Sequence, residues 1–224
     1  MRVVECRSPN CDARDQPIDM LVLHYTGMKT GEEALARLCD PAAKVSAHYT
    51  IDRDGRVYRH VPEEMRAWHA GLSYWAGQKN VNGRSIGIEI VNPGHEFGYV
   101  PFADVQIAAL IDLADGIVKR HRIPAARVLG HSDVAPARKQ DPGELFPWKC
   151  LAEYDLGIWP NGKAAKLDEP FEQALSRFGY GIAPNADASL KDVIGAFQRH
   201  FRPSCVNGIA DAECEAVLGA LLAA

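Results

Sequence analysis

One segment constrains the fold of this chain more than any other, residues 130–143, which read GHSDVAPARKQDPG. It follows a short apolar run at 127–129 and is bounded by glycine and proline, as is typical of a rigid loop that leaves a strand end. Such a loop holds its side chains in place, here the imidazole of His131, the amine of Lys139 and the carboxylate of Asp141. Imidazole nitrogen and carboxylate oxygen both bind zinc, so the segment is expected to supply half of a metal site if a third ligand comes from elsewhere.

Short runs of apolar and β-branched residues predict several strands. The runs at 18–25 and 85–91 have the length and composition of buried strands. The runs at 46–51 and 56–61 flank an Asp-Gly pair, which is a strong signal for a β-hairpin. Together these runs predict a sheet at the centre of the first part of the chain.

Two segments in the same part of the chain are predicted to be helical. Residues 30–39 begin at a capping threonine, Thr30, with Glu33 three residues further on. Apolar residues recur at three- and four-residue spacing over 107–118, which predicts a longer amphipathic helix. Strands mixed with two helices predict an α/β domain, with helices flanking a mixed central β-sheet.

Composition changes after residue 154. Residues 157–163 contain the glycine, proline and asparagine of a linker. Three short helical patterns then follow, at 171–178, 190–201 and 210–222. Three short amphipathic helices are expected to bury their apolar stripes only against each other. We therefore predict two domains, an α/β domain over residues 1–158 and a small all-α three-helix domain over residues 165–224.

Charge and hydropathy exclude several function classes. The 224 residues carry a formal net charge of −4, which argues against a general nucleic-acid binder. No run of about 18 apolar residues is present, so neither a transmembrane helix nor a membrane partner is predicted. The N-terminal residues lack an apolar segment of secretory type, so a cytoplasmic location is expected, with a periplasmic location as the alternative. Nothing in the pattern indicates an oligomeric state.

The six cysteines are scattered, and none forms a Cys-x-x-Cys pair of the zinc-ribbon or thioredoxin type. Mostly reduced thiols in packed positions are expected. The even count also allows disulfides. Cys6 with Cys11, and Cys205 with Cys214, are the pairs in which oxidation would be tested.

Two polar side chains stand out because apolar strands carry them. His24 ends the first predicted strand, and Glu89 lies inside the run at 86–90, where a carboxylate needs a partner or a function. Taken alone, His24 is consistent with either a hydrogen-bonded core histidine or a metal ligand. Glu89 alone is consistent with either a buried salt bridge or a carboxylate of the site. His131 and Asp141 alone are also consistent with polar residues that only stabilise their loop.

Five separated segments carry a resemblance to a known family. In chain order they are LVLHYT at 21–26, SAHY at 46–49, AWHAG at 67–71, SIGIE at 85–89 and the segment at 130–143. In this order they resemble the zinc-dependent N-acetylmuramoyl-L-alanine amidases of the AmpD-like type, relatives of the peptidoglycan recognition proteins. The resemblance covers residues 1 to about 155 and implies the type 2 amidase fold.

The resemblance implies roles for the residues at matching positions. His24, His131 and Asp141 fall on the family's three zinc ligands. Glu89 falls on the acid/base carboxylate, and Lys139 falls on the cation that stabilises the transition state. The residues in or near the segments that line the family's substrate groove are Tyr25, Trp68, His69, Ala70 and Arg84. His48 lies in one of the family's motifs and is expected to be structural. The histidines that match no ligand position, and are expected at surface or packing positions, are His60, His95, His121 and His200.

The implied activity is hydrolysis of the amide between the lactyl group of N-acetylmuramic acid, including its 1,6-anhydro form, and L-alanine of the stem peptide. Zn2+ is the implied cofactor, because an ion with an open position activates water and polarises the poorly electrophilic amide carbonyl. The implied partners are peptidoglycan fragments (muropeptides), and the expected process is peptidoglycan recycling. Two alternatives stay open, a catalytically silent receptor for wall fragments and a lytic amidase that acts on intact peptidoglycan.

The C-terminal helices carry a resemblance of their own. Residues 196–203 and the turn at 206–211 resemble the three-helix peptidoglycan-binding module that is often appended to bacterial wall hydrolases. The alternatives are a module that only braces the amidase domain by packing against it, and a scaffold role for the protein led by this module.

Overall fold

The computed structural model describes residues 3–160 and 166–223. Its strands are β1 (Val3–Glu5), β2 (Cys11–Ala13), β3 (Met20–Tyr25), β4 (Tyr49–Ile51), β5 (Val57–Arg59), β6 (Met65–Ala67), β7 (Ser85–Ile90) and β8 (Val128–Gly130). Its α-helices are α1 (Gly31–Cys39), α2 (Val81–Arg84), α3 (Gly94–Phe97), α4 (Asp104–His121), α5 (His131–Val134), α6 (Trp148–Ala152), α7 (Phe171–Phe178), α8 (Leu190–Phe201) and α9 (Ala212–Leu222). Part of the predicted linker at 157–163, and both ends of the chain, lie outside the described residues. None of the helices in the described part is long and apolar enough to cross a membrane.

A six-stranded mixed sheet forms the centre of the molecule. Its strand order is β1-β5-β4-β7-β3-β8, and every neighbouring pair is parallel except the β4–β5 hairpin. Strands β2 and β6 form a separate antiparallel pair. The prediction of a mixed sheet flanked by helices is confirmed, and so is the hairpin around the Asp-Gly pair. β3 and β7 are interior strands of the sheet, buried on both faces, which explains their nearly continuous apolar sequences.

Alternation along the central strand β3 divides its side chains between two cores. Leu21 and Leu23 belong to the apolar cluster on the face that α4 covers. Met20 and Val22 belong to a second cluster on the opposite face, which the C-terminal helices cover. His24 has the same parity as Met20 and Val22, so its side chain emerges on that second face.

The predicted long elements are confirmed, with shifted ends. α1 begins after Thr30, whose side chain accepts a hydrogen bond from the backbone N–H of Glu33, as the capping pattern predicted. α4 extends beyond the predicted 107–118 by three residues at each end, because its first and last turns are polar. The short elements β1, β2, β6, α2, α3, α5 and α6 were not predicted, since three to five residues are too few to establish a period.

The three C-terminal helices form where the sequence predicts them, but they do not pack only against each other. Phe197 and Phe201 of α8 and Leu218 of α9 belong to one buried cluster that also contains Met20 and Val22 of β3. The expectation of a separate apolar interior is therefore wrong, because these helices cover a sheet face that would otherwise be exposed. The division into domains at 1–158 and 165–224 stays a prediction.

The thiol that lies beside Cys6 in the structure is not the one singled out from the sequence. All six thiols are free. The Sγ atom of Cys6 lies 3.3 Å from that of Cys39, whereas Cys11 lies in β2, paired with Ala67. The neighbour of Cys6 is thus Cys39, which is 33 residues away in the chain.

Candidate active site

The site lies where the central parallel strands end. His24 is the next-to-last residue of β3, Glu89 holds the same position in β7, and His131 follows β8 directly as the first residue of α5. His24 and Glu89 are register partners in the β3–β7 pairing, so their side chains are neighbours on one face. The carboxyl ends of parallel strands share one edge of the sheet, which is where such folds place their ligands.

Three candidate metal ligands meet at this edge. The Nδ1 atoms of His24 and His131 are 2.9 Å apart, and each lies 3.0 Å from Oδ2 of Asp141. All three side chains are buried. The structure thus brings together the three residues that the sequence proposed, although 107 residues separate the two histidines.

The proton position on His24 follows from a chain of hydrogen bonds behind it. The Ser85 hydroxyl donates to the carbonyl of Val81, so its oxygen accepts from Nε2 of His69 at 3.2 Å. Nδ1 of His69 then carries a lone pair, which accepts from Nε2 of His24 at 3.0 Å. His24 therefore presents the lone pair of Nδ1 to the centre of the site.

His131 is oriented in the same way by the main chain. Its Nε2 lies 3.1 Å from the carbonyl oxygen of Ala70, which can only accept, so Nε2 carries the proton and Nδ1 the lone pair. Burial, together with the repulsion that a protonated His131 would exert, lowers the pKa of His24 to about 4, so the ring is neutral at pH 7. Burial alone would raise the pKa of Asp141, but its contacts with His131 and His24 hold that pKa far below its ordinary value.

Two imidazole lone pairs and a carboxylate therefore face each other with no proton between them, and such an arrangement needs a cation. The chemistry and number of the donors fit zinc, whose catalytic sites use three protein ligands. Ligand atoms at zinc distances of 2.0–2.1 Å are about 3.3 Å apart on a tetrahedron. The observed separations of 2.9 and 3.0 Å are close to that value.

A glycine in β7 makes room for the histidine behind the site. A Cβ atom at Gly87 would lie 2.4 Å from Cγ of His69, so only glycine lets this ring lie against the strand. An isolated glycine inside an apolar strand indicates a close approach of another group. It is the signal from which the position of His69 could have been inferred.

Glu89 has an unusual environment for a carboxyl group. Among the described residues its Oε2 atom has no hydrogen-bond partner, although that atom is buried. Burial and the nearby charge of Asp141 raise the pKa of Glu89 well above its ordinary value, while Lys139 opposes this change. A carboxyl group of this kind is suited to take up and release a proton.

These residues open into a cavity of about 620 Å³. The predicted site residues that line it are Tyr25, Trp68, His69, Glu89, His131, Lys139 and Asp141. On one side it is bounded by Ala34, Arg37 and Leu38, which we call the α1 wall. The structure therefore places both candidate catalytic residues and two of the three candidate ligands on a cavity surface.

Two of the predicted groove residues lie elsewhere. Arg84 precedes β7 and pairs with Asp19, with Nε 3.1 Å from Oδ1. It precedes Glu89 by five positions along extended strand, about 16 Å, so it lies at the opposite end of the strand. Ala70 is fully buried and contributes its carbonyl to His131 rather than its side chain to the groove. Both predictions of a groove contact are corrected on these grounds.

A buried network that the sequence did not indicate joins the loop at 130–143 to the C-terminal helices. Oδ2 of Asp133 accepts from the backbone N–H of Gly130 and from Nδ1 of His200, both at 2.7 Å. Oδ1 of Asp133 accepts from the hydroxyl of Tyr180, also at 2.7 Å. His200 stacks on Trp148, with ring centroids 3.8 Å apart. No local pattern marks His200, because its partners come from other parts of the chain.

Comparison with known proteins identifies the family. The model of the family described as N-acetylmuramoyl-L-alanine amidase matches residues 14–144, more than half of the chain. The chain belongs to this amidase family. AmiD of Escherichia coli K12, an N-acetylmuramoyl-L-alanine amidase, is 38% identical over 98% of this chain and 90% of its own length. AmpD of Haemophilus influenzae, a 1,6-anhydro-N-acetylmuramyl-L-alanine amidase, is 34% identical over 66% of this chain and 90% of its own length.

Solved structures agree with the fold of this amidase. E. coli AmiD in complex with the substrate anhydro-N-acetylmuramic acid-L-Ala-D-γ-Glu-L-Lys matches with a TM-score of 0.82 and 38% identity, over 95% of this chain and 92% of that one. AmpDh3 of Pseudomonas aeruginosa matches with a TM-score of 0.84 and 35% identity, over 92% and 91%. The predicted type 2 amidase fold is confirmed, and the amidase carries additional C-terminal helices.

Proposed function

We propose that this amidase uses zinc, held by His24, His131 and Asp141, to hydrolyse the amide between the lactyl group of 1,6-anhydro-N-acetylmuramic acid and L-alanine of the stem peptide. The observation that carries the proposal is the convergence of three lone-pair donors beside Glu89 and Lys139 in one cavity. The choice of substrate is supported by the anhydro-muropeptide bound to AmiD and by the similarity to AmpD, a 1,6-anhydro-N-acetylmuramyl-L-alanine amidase.

Each polar residue has a role that follows from its position. A zinc ion bound there supplies Lewis-acid chemistry. Glu89 accepts the proton of the attacking water at its carboxylate and returns it to the departing amine. Lys139 balances the negative charge that develops on the carbonyl oxygen, a contribution of about 3 kcal/mol for one well-placed group. His69 holds His24 in the tautomer that leaves Nδ1 unprotonated.

The experiment compares two substrates with purified, zinc-loaded protein. We expect rapid release of the stem peptide from a soluble anhydro-muropeptide and slower release from polymeric sacculi. Faster turnover of sacculi would favour a lytic amidase instead. Binding of the muropeptide without release of peptide would favour a silent receptor.

A role in peptidoglycan recycling belongs to the same proposal, and it depends on where the protein acts. The cytoplasmic location expected from the N-terminal residues stays a prediction. Cell fractionation tests it, since recovery of the protein with the periplasmic fraction would move the proposed role from recycling to turnover of the wall.

A further inference from the structure

Two thiols meet at a second site, on the edge of the sheet. Cys6 follows β1 directly, and Cys39 is the last residue of α1. Their Sγ atoms are 3.3 Å apart, and both residues are partly exposed. His60 completes the cluster, with Nδ1 3.7 Å from Sγ of Cys39.

A metal site is the first interpretation to consider, since two sulfurs and an imidazole suit zinc. The hydrogen bonds of His60 argue against it. Its Nδ1 lies 2.7 Å from the carbonyl oxygen of Cys6, so Nδ1 carries a proton and has no lone pair for a metal. Its Nε2 is engaged by the hydroxyl of Thr50 at 2.8 Å. Two sulfurs alone are too few ligands for a structural zinc site.

We propose that Cys6 and Cys39 are a site of disulfide formation that ties the sheet edge to the end of α1. A bond of about 2.05 Å requires the two sulfurs to approach by roughly 1.3 Å, which side-chain rotation can supply. The backbone around them is already held together. Ser8 donates its hydroxyl to the carbonyl of Leu38, and Nδ2 of Asn10 donates to the carbonyl of Asp40 at 2.8 Å.

The reaction is thiol–disulfide exchange with a small-molecule disulfide, RSSR. One cysteine thiolate attacks a sulfur of RSSR and releases RS⁻, which leaves a mixed disulfide on the protein. The second thiolate attacks the protein sulfur of that mixed disulfide and releases a second RS⁻. The two cysteine protons end on the two released thiolates, so two cysteines are oxidised and one RSSR is reduced to two RSH.

The bond would lie beside the α1 wall of the cavity. Cys39 follows Leu38 directly, and Leu38 is part of that wall. Burial and the neighbouring Cys6 raise the pKa of Cys39 to about 12, so this thiol is a slow nucleophile at neutral pH. We therefore expect a cross-link that forms slowly, next to the α1 wall.

The test incubates the folded, full-length protein with excess oxidised glutathione. We expect Cys6 and Cys39 to become resistant to alkylation and a Cys6–Cys39 linked peptide to appear after digestion, whereas the exposed Cys205 can only take up glutathione as a mixed disulfide. Closing a loop of this length predicts a Tm about 5–15 °C higher for the oxidised protein. Cys39→Ser and Cys6→Ser should each abolish the linked peptide and the Tm shift, while Cys11→Ser, the matched control, should keep both.

Several results would overturn the proposal. Cys6 and Cys39 thiols that remain open to alkylation after prolonged oxidation would contradict it, and so would a linked peptide that joins Cys6 to Cys11. A second equivalent of zinc that Cys39→Ser alone removes would mean that the cluster is a metal site. The outcome is independent of the proposed amidase activity, because none of these readouts uses substrate.

Discussion

The proton on each imidazole is the residue-scale feature on which the site depends. His24 and His131 point unprotonated Nδ1 atoms at Asp141 because His69 and the Ala70 carbonyl engage the opposite nitrogens. The sequence indicates which residue types meet here. The tautomers follow only from the hydrogen bonds behind them.

We expect two substitutions in the site to differ in their effect on zinc binding, although both lower the activity. Asp141→Ala removes the anionic donor, so the protein should lose zinc and activity together. Glu89→Ala leaves the donors intact, so it should retain one zinc per chain while kcat falls by about 100- to 10,000-fold. Metal analysis beside an amidase assay measures both effects. A fully active Glu89→Ala protein would contradict the assignment of this carboxylate.

His69 provides a sharper test of how the ligands are oriented. His69→Phe keeps an aromatic ring over Gly87 but cannot accept the proton of His24, so zinc affinity should fall by about 10- to 100-fold. Competition with a chelator measures the affinity. His95→Gln is the matched control, because His95 lines the same cavity without contacting the donors. Equal affinities of the two variants would show that His69 does not position His24.

At the scale of elements, one carboxylate links the sheet to its covering helix. Glu63 accepts hydrogen bonds from Tyr49 of β4 and from Arg120 and His121 of α4. Burial alone would raise its pKa, but these bonds lower the pKa of Glu63 to about 2. Its side chain is 12% exposed. The contact is one that periodicity cannot predict, because Glu63 and Arg120 are 57 residues apart in the chain.

The lowered pKa of Glu63 makes stability depend on pH in a defined direction. A carboxyl whose folded pKa lies below its unfolded value stabilises the fold above the unfolded value, here 4.5, and this contribution is lost as pH falls toward 2. Allowing for solvent screening, the contribution is about 1–2 kcal/mol. Urea unfolding at pH 7, 5 and 3 should show the loss in the wild type and less of it in Glu63→Gln. Glu64→Gln, at the neighbouring position, should behave like the wild type.

At the scale of the whole molecule, the C-terminal helices and the sheet share one apolar cluster and one buried polar network.

His200→Phe keeps the stacking on Trp148 but removes a donor to Asp133, so the free energy of unfolding should fall by about 1–3 kcal/mol. Because the core is continuous, we expect one unfolding transition in calorimetry. Two transitions, with only the second shifted by His200→Phe, would instead indicate independent domains. Arg177→Ala, on the exposed face of α7, is the control.

The sequence by itself determined the longer strands and helices in their order and the capped start of α1, and its resemblance to the amidase family indicated the residues of the site. These are properties of neighbouring residues or of short segments, and so they are legible along the chain. The tertiary structure alone decided that Arg84 lies away from the groove, that His200 contacts Asp133 in the loop at 130–143, and that Cys6 faces Cys39. Each of these depends on contacts between residues far apart in sequence, whose distances only the packing of the sheet and its covering helices sets.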